Sequence, residues 1–170
     1  GRLFNIVGFQ TNLKFAEQRR VFGLIPGLEH AEYARYGVMH RNTFLNSPKL
    51  LNYDFQMRTI PALYFAGQMT GVEGYVESAS SGFVAAVSLA RQLGRKEAID
   101  FTAKTAIGSL GHYVSGYVGD DFQPMNVTFG IMESIPERIR KKALRYAKVA
   151  ERALEIVQEI APKLSFSEDM

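Results

Sequence analysis

Cysteine is absent from all 170 residues. That removes disulfide frameworks, thiolate zinc sites, iron–sulfur clusters and every cysteine-nucleophile mechanism from what this chain does unaided, and a reducing compartment fits. Long apolar runs are missing too. The longest nearly unbroken one, Gly82 to Ala90, is about half of the roughly 20 residues a membrane-spanning helix needs, so no transmembrane helix is expected. The opening Gly1-Arg2-Leu3-Phe4 carries neither an initiating Met nor a charged-then-apolar leader. The expectation is therefore no signal peptide and a start inside a longer protein.

Several motifs are also lacking. There is no G-x-G-x-x-G, no Walker sequence and no G-x-S-x-G elbow, which withdraws support from nucleotide hydrolysis and serine-hydrolase chemistry. His30, His40 and His112 stand far apart with no H-E-x-x-H or comparable spacing, so no metal site is expected.

What is present is ordinary globular material: 46% hydrophobic, 22% charged and 12% aromatic residues. A chain of this size can bury roughly 70% of its unfolded surface, enough for a core without staples. A net charge of +3 permits a polyanionic partner without establishing one.

Along the chain, residues 3–9 alternate loosely and read as a short strand, and Ala16 to Leu24 reads as a short amphipathic helix ended by Pro26-Gly27. The polar cluster His40-Arg41-Asn42-Thr43 reads as a loop. Leu51, Tyr53, Phe55 and Met57 alternate with polar neighbours as in a half-buried strand. Ala62 to Ala66 is a near-continuous apolar run that fits a strand buried on both faces. A glycine-punctuated turn follows, and then Tyr75 to Leu93, with apolar positions at 75, 79, 83, 86, 90 and 93 and Gly94 as the stop. Glu97 to Val114 reads as a weaker helix burdened by Gly108 and Gly111, and 116–129 as turn chemistry. A last helix is expected from a capping box at Ser134 and Glu137, with an apolar stripe at 139, 143, 146, 147, 150, 154, 157 and 160, up to Pro162.

The strand–turn–helix unit at 62–93 is the strongest physical signal. A helix N-terminus behind glycines offers unpaired amides and the positive end of the helix dipole to a phosphate, a carbonyl or the pyrimidine oxygen of a flavin. Gly67, Gly71 and Gly74 have no Cβ to hold a flat cofactor away from the backbone, and Gln68 adds a hydrogen-bonding side chain. A tight turn with no ligand is the competing reading. Glu73 and Glu77 serve either as helix-start carboxylates or, if Glu73 faces a closed pocket, as a desolvated general acid. His40 is either a satisfied loop histidine or a flat partner for a heterocycle. Between Glu137 and Arg152 the charges Arg138, Arg140, Lys141, Lys142, Arg145, Lys148 and Arg152 face only Glu137 and Glu151. That stretch is either a solvated face or a surface that steers RNA through its backbone.

Three segments, Gly37-Val38-Met39-His40-Arg41-Asn42-Thr43, Gly67-Gln68-Met69-Thr70-Gly71-Val72-Glu73-Gly74-Tyr75-Val76-Glu77-Ser78 and Phe122-Gln123-Pro124-Met125-Asn126, together resemble the bacterial folate- and FAD-dependent tRNA (uracil-5-)-methyltransferase family. The likeness runs from about Phe4 to the last helix. It implies a cytoplasmic enzyme that takes a one-carbon unit from methylenetetrahydrofolate, uses FAD as carrier and reductant, is recharged by NAD(P)H, and forms 5-methyluridine in the tRNA T-loop. It also implies an α/β fold: residues 1–46 as the end of an insertion domain with its connection, and 47–170 as the C-terminal portion of a Rossmann-type FAD-binding domain with a basic last helix. Partners would be tRNA and the missing N-terminal part of the same protein.

By that resemblance Gly67, Gln68, Gly71, Val72, Glu73, Gly74 and Tyr75 lie against the flavin, and His40, Glu73 and Tyr75 are candidates for folate. Arg138, Lys141, Lys142, Arg145 and Lys148 are candidates for RNA. The family's N-terminal glycine fingerprint and its cysteines are absent from this chain, so the segment alone is expected not to methylate RNA. Two nearby enzyme readings are the related FAD enzyme that modifies the tRNA wobble uridine and a relative that acts on ribosomal RNA. A reading of another class is a non-catalytic RNA-binding or assembly module.

Overall fold

A computed structural model describes residues 3–39 and 43–164 of the chain. The chain divides into two compact units, residues 1–42 and 43–170. His40, Arg41 and Asn42, on which one of the three recognition segments turns, lie outside the described residues.

In the first unit, helix α1 (Phe15–Phe22) sits among aromatic rings. Phe22 meets Phe9 edge-on at 4.8 Å, and Tyr36 stacks on both Phe15 and Tyr33. Gln18 is fully buried, and its amide is spent on backbone: Nε2 donates to the carbonyls of Leu13 (2.7 Å) and Gly37 (2.8 Å), and Oε1 accepts from the Gly37 amide (3.0 Å). Such a fully satisfied buried amide fixes the path of the chain past Gly37. The expected strand at 3–9 does not form. Leu3, Phe4 and Val7 are exposed and pair with no neighbouring strand among the described residues.

The second unit is built on four helices: α2 (Ser47–Leu50), α3 (Tyr75–Leu93), α4 (Ala106–Gly116) and α5 (Lys142–Ile160). α4 packs against both α2 and α3. Phe55, Val72, Val84, Phe101, Leu110 and Val114 lie in its core. The expected α/β fold is not met: the described residues hold no extended ladder, only isolated bridges at Leu51–Met57, Gln56–Tyr64 and Val72–Met125.

Both expected strands of this unit are corrected. Residues 51–57 fold back as a tight turn, with Phe55 at φ 65° and Asn52 and Phe55 joined by a backbone hydrogen bond. Asp54 Oδ1 accepts from the Gln56 amide there, the local competition that Asp and Asn offer against strands. Residues 62–66 are paired on one edge only, through Met57 to Leu63 and Phe65 to Phe55. No strand among the described residues pairs with the other edge, and Ala62, Leu63 and Ala66 are exposed, not buried on both faces.

α3 keeps its expected bounds and its Gly94 stop, but presents the opposite face. Its buried side is Ser81, Val84, Ala85, Val87 and Ser88, small and β-branched residues, while Tyr75, Ala79, Phe83, Ala86 and Leu93 are exposed. α4 begins at Ala106 and not near Glu97, because Thr105 supplies a genuine cap: its Oγ1 accepts from the Gly108 amide and donates to the Phe101 carbonyl. The stretch before it is a loop that buries Ile99 and Phe101. α5 begins at Lys142, not in a capping box at Ser134. Arg152 reaches back to the carbonyls of Glu133 and Ser134 and holds that segment across the helix instead of in it. Val149 and Ile160 of α5 are buried and 146, 150, 153 and 156 half-buried, leaving 143, 147, 154 and 157 outside. Among the described residues no helix is long and apolar enough to cross a membrane.

The two glycines that weaken α4 are where other backbone comes closest. A Cβ on Gly108 would lie 2.1 Å from the Thr102 carbonyl oxygen, and one on Gly111 would lie 2.0 Å from that of Tyr53. Gly111→Ala is therefore expected to destabilise the chain by about 2 kcal/mol, overpacking outweighing the gain in helix propensity. Gly116→Ala, with nothing within 4 Å of the new methyl, is expected to be neutral or slightly stabilising. Urea midpoints at unchanged slope check both.

Candidate flavin-facing turn

The turn between residues 67 and 74 is held from beneath by the segment 122–126. Gly71 has φ 90°, and a Cβ there would lie 2.4 Å from Cζ of Phe122, so only glycine satisfies both the left-handed backbone and the ring beneath it. Phe122 is itself buried and packed by Phe44, Tyr113 and Tyr117, with ring centroids 5.7 to 5.9 Å away. Directly after Pro124, the backbone of Met125 pairs on both sides of Val72: its amide donates to the Gly71 carbonyl (3.1 Å) and its carbonyl accepts from the Glu73 amide (3.0 Å). Asn126 Nδ2 then donates to the Glu73 carbonyl at 2.8 Å.

The near side of the turn is stitched as well. Residues Gln68–Thr70 make a single 3-10 turn; the Thr70 hydroxyl donates to the Gly67 carbonyl (2.8 Å), and Ser47 Oγ donates to the Thr70 carbonyl (2.7 Å). The Gly67 amide donates to Ser81 Oγ at 2.8 Å, which ties the start of the turn to the second helical turn of α3. Four amides of the turn, those of Gly67, Thr70, Gly71 and Glu73, are thereby engaged within the fold.

The amides that open α3 are not engaged in this way. Its N-cap is Gly74, at φ 103° and ψ 155°, with no side-chain cap, and Tyr75 and Val76 behind it are 94% and 75% exposed. The donors left over at a helix start have no side-chain cap here. Gly67, at φ 76°, has nothing within 4 Å of where a Cβ would sit, so the backbone is open to close approach there. Glu77 Oε1 accepts from the Val127 amide at 3.3 Å, and its other oxygen lies where a Cβ on Gly74 would go. The backbone is thus open at Gly67, whereas the space over Gly74 is filled by the Glu77 carboxylate and Asn126 Nδ2.

The sequence-predicted residues divide accordingly. Gly67, Gln68, Glu73, Gly74 and Tyr75 lie on the accessible side, whereas Gly71 and Val72 are buried on the underside and shape the turn. Glu73 is exposed, so these residues do not supply the enclosure on which a general-acid role depends. The residues that sequence reasoning left without a role are Phe122, Met125 and Asn126. Their signal was the Phe-Gln-Pro-Met-Asn segment itself, read as a recognition motif but not as the brace under Gly71.

The basic segment is thinned by its own contacts. Lys148 pairs with Glu151 at 2.8 Å, which raises the lysine's affinity for its proton and lowers that of the carboxylate, and Arg152 is spent on two carbonyls. Clefts lie away from the turn. One of about 310 Å³ is lined by His112, Tyr113, Gly116, Tyr117, Gly130 and Ile131, and another of about 400 Å³ lies in the first unit beside Glu29, His30 and Tyr33. No group of three or more metal-ligating side chains occurs among the described residues.

Residues 1–97 match the family model described as glucose inhibited division protein A. The chain belongs to that family. It is 56% identical over 164 residues to the methylenetetrahydrofolate–tRNA-(uracil-5-)-methyltransferase TrmFO of Listeria welshimeri, which covers 96% of the chain and 38% of that relative. It is 58% identical over 165 residues to the enzyme of the same name from Acetivibrio thermocellus, covering 97% of the chain and 38% of the relative. Against the Streptococcus pyogenes serotype M4 protein of that name it is 61% identical over 155 residues, 91% of the chain and 35% of the relative. The chain thus spans little more than a third of the length of these relatives.

Gly71→Ala is expected to cost about 3 kcal/mol, since it combines the forbidden backbone angle with a steric conflict. Phe122→Leu in the same chain should recover part of that loss, giving a non-additive double-mutant cycle in chemical denaturation. Asn126→Ala should cost about 1 kcal/mol, the typical net worth of one hydrogen bond.

Proposed function

We propose that this chain is the part of a methylenetetrahydrofolate- and FAD-dependent tRNA uracil-5-methyltransferase that closes the flavin site, with the 5-methyluridine of the tRNA T-loop as the product of the whole protein. The observation that carries this reading is the start of α3 behind Gly74, with its turn braced from below by Phe122, Met125 and Asn126 and its backbone open to close approach at Gly67. The names of the relatives supply the reaction, and at 56–61% identity they favour it over wobble-uridine or ribosomal RNA modification.

In this reading the α3 amides and Gly67, Gly74 and Tyr75 receive the isoalloxazine edge, Gln68 and Glu73 border it, and Gly71 and Val72 hold the turn in shape. The flavin would supply the one-carbon carrier and reducing chemistry, with NAD(P)H as the source of electrons. The chain's own contribution is orientation: fixed donors aimed at the electron-rich edge of a ring cost no reorganisation when charge builds up there. Tyr75, Glu73 and His40 are the residues we assign to folate. Arg138, Lys141, Lys142 and Arg145 would meet tRNA phosphates, with Lys148 contributing less because Glu151 neutralises it.

The outward apolar face of α3, with Val76, Phe83 and Leu93 46 to 76% exposed, would be covered by the remaining portion of the flavin domain. The unpaired edge of residues 62–66 would join the sheet of a Rossmann-type domain, for which this chain supplies the closing turn and helices. Residues 1–46 would be the end of the insertion domain and its connection. The cysteines that act on the uracil would come from the remaining portion, since this chain has none.

A longer protein that joins this chain to the portion its relatives also carry is expected to purify yellow. Gly74→Val in that protein should lower flavin occupancy to below about a tenth, a loss of ~1.4 kcal/mol or more, read from the flavin absorbance per protein. A colourless joined protein that still binds tRNA would instead make this chain a binding module.

A further inference from the structure

The basic segment before and within α5 contains an aromatic feature that phosphate contacts alone do not require. Phe129 and Tyr146 stack face to face, with centroids 4.1 Å apart and planes 10° from parallel. Phe129 remains 40% exposed. Lys142 Nζ lies 5.4 Å, and the Arg145 guanidinium carbon 5.6 Å, from the centre of the Tyr146 ring. No acidic partner for Lys142 or Arg145 occurs among the described residues, in contrast to Lys148. The local excess of positive charge therefore concentrates around a pre-stacked, partly exposed pair of rings.

We infer that Phe129 and Tyr146, flanked by Lys142 and Arg145, are a landing site for an unpaired nucleobase of an RNA loop. This rests on the reading that the basic face meets RNA, and it adds that the face selects single-stranded nucleotides over duplex. Duplex RNA keeps its bases stacked on one another and offers a protein mainly phosphates and 2′-hydroxyls, so exposed rings gain nothing from it. A splayed loop base presents a free π-face. An aromatic platform accepts that face without reading its identity, while the flanking cations hold the adjoining phosphates. Stacking Tyr146 on Phe129 in advance removes the cost of ordering the platform when the base arrives. The absence of Asp or Glu from 138–150 keeps the site free of the like-charge repulsion that would oppose a polyanion.

The test uses the full chain in fluorescence-anisotropy titrations with labelled oligouridylate and, separately, an RNA duplex carrying the same number of phosphates. Phe129→Leu and Tyr146→Leu are expected to weaken single-strand binding about tenfold and to leave duplex binding within about twofold. Lys142→Gln with Arg145→Gln should weaken both ligands and flatten the salt dependence of both. Because the chain contains no tryptophan, Tyr146→Trp supplies one indole at the site. Its fluorescence should be quenched by oligouridylate and not by the duplex, and this arm decides the matter if a leucine variant fails to fold. Aromatic variants that weaken both ligands equally or neither, or an indole that oligouridylate does not quench, would overturn the stacking site and leave the RNA face standing. Charge variants that change neither ligand would remove the RNA reading itself.

Discussion

The contact on which the second unit depends is the one between the Phe122 ring and the bare Cα of Gly71. It joins two segments some fifty residues apart in the chain and fixes the height at which the turn crosses the aromatic cluster of Phe44, Tyr113 and Tyr117. Close packing of this kind tolerates no added methyl, because interiors are filled to crystal-like density and neighbours move only together. Once the ring is seated, Met125 falls opposite Val72, its backbone closes both hydrogen bonds there, and Asn126 reaches the Glu73 carbonyl. The direction in which α3 leaves the turn follows from those bonds.

The same arrangement separates support from contact within one short segment. Residues that face down at 70–72 have their backbone and side chains committed, whereas those at 73–76 are left with exposed side chains and a helix start without a cap. A helix start behind glycine, as at Gly74, gives up only about a few tenths of a kcal/mol against a serine, threonine or aspartate cap. α4 is capped by Thr105. α2, α3 and α5 have no side-chain cap, so the missing cap does not by itself set α3 apart.

Legibility from the sequence varied with how local the cause was. α3 and its glycine stop could be read because a short apolar period and a Gly signal lie within one segment, and α1 was found too, though it ends at Gly23 and not at Pro26-Gly27. The start of α4 was misplaced because an Asp100–Thr102 turn and the Thr105 cap outweigh a weak helical pattern upstream. α5 lost its expected first turns to Arg152, which acts across 18 residues, a distance no local pattern shows. The faces of α3 were inverted for a related reason. Hydropathy assigns the large residues to the core, but this unit's own contact with α4 needs the small side, Ser81, Ala85 and Ser88, and turns Phe83 and Leu93 outward.

By itself the sequence determined which chemistries are out of reach, through the absence of cysteine, and where the glycine turn and its following helix lie, because glycine and helical period are properties of neighbouring residues. It also carried the family likeness, since that resides in the order of three short segments. Only the tertiary structure decided which turn residues are braces and which are surface, that the Phe122 to Asn126 segment is the brace, and which charges of the basic segment are already spent. Those outcomes depend on side chains meeting across long separations in the chain, and a steric contact at 2 to 4 Å has no counterpart in composition, periodicity or spacing.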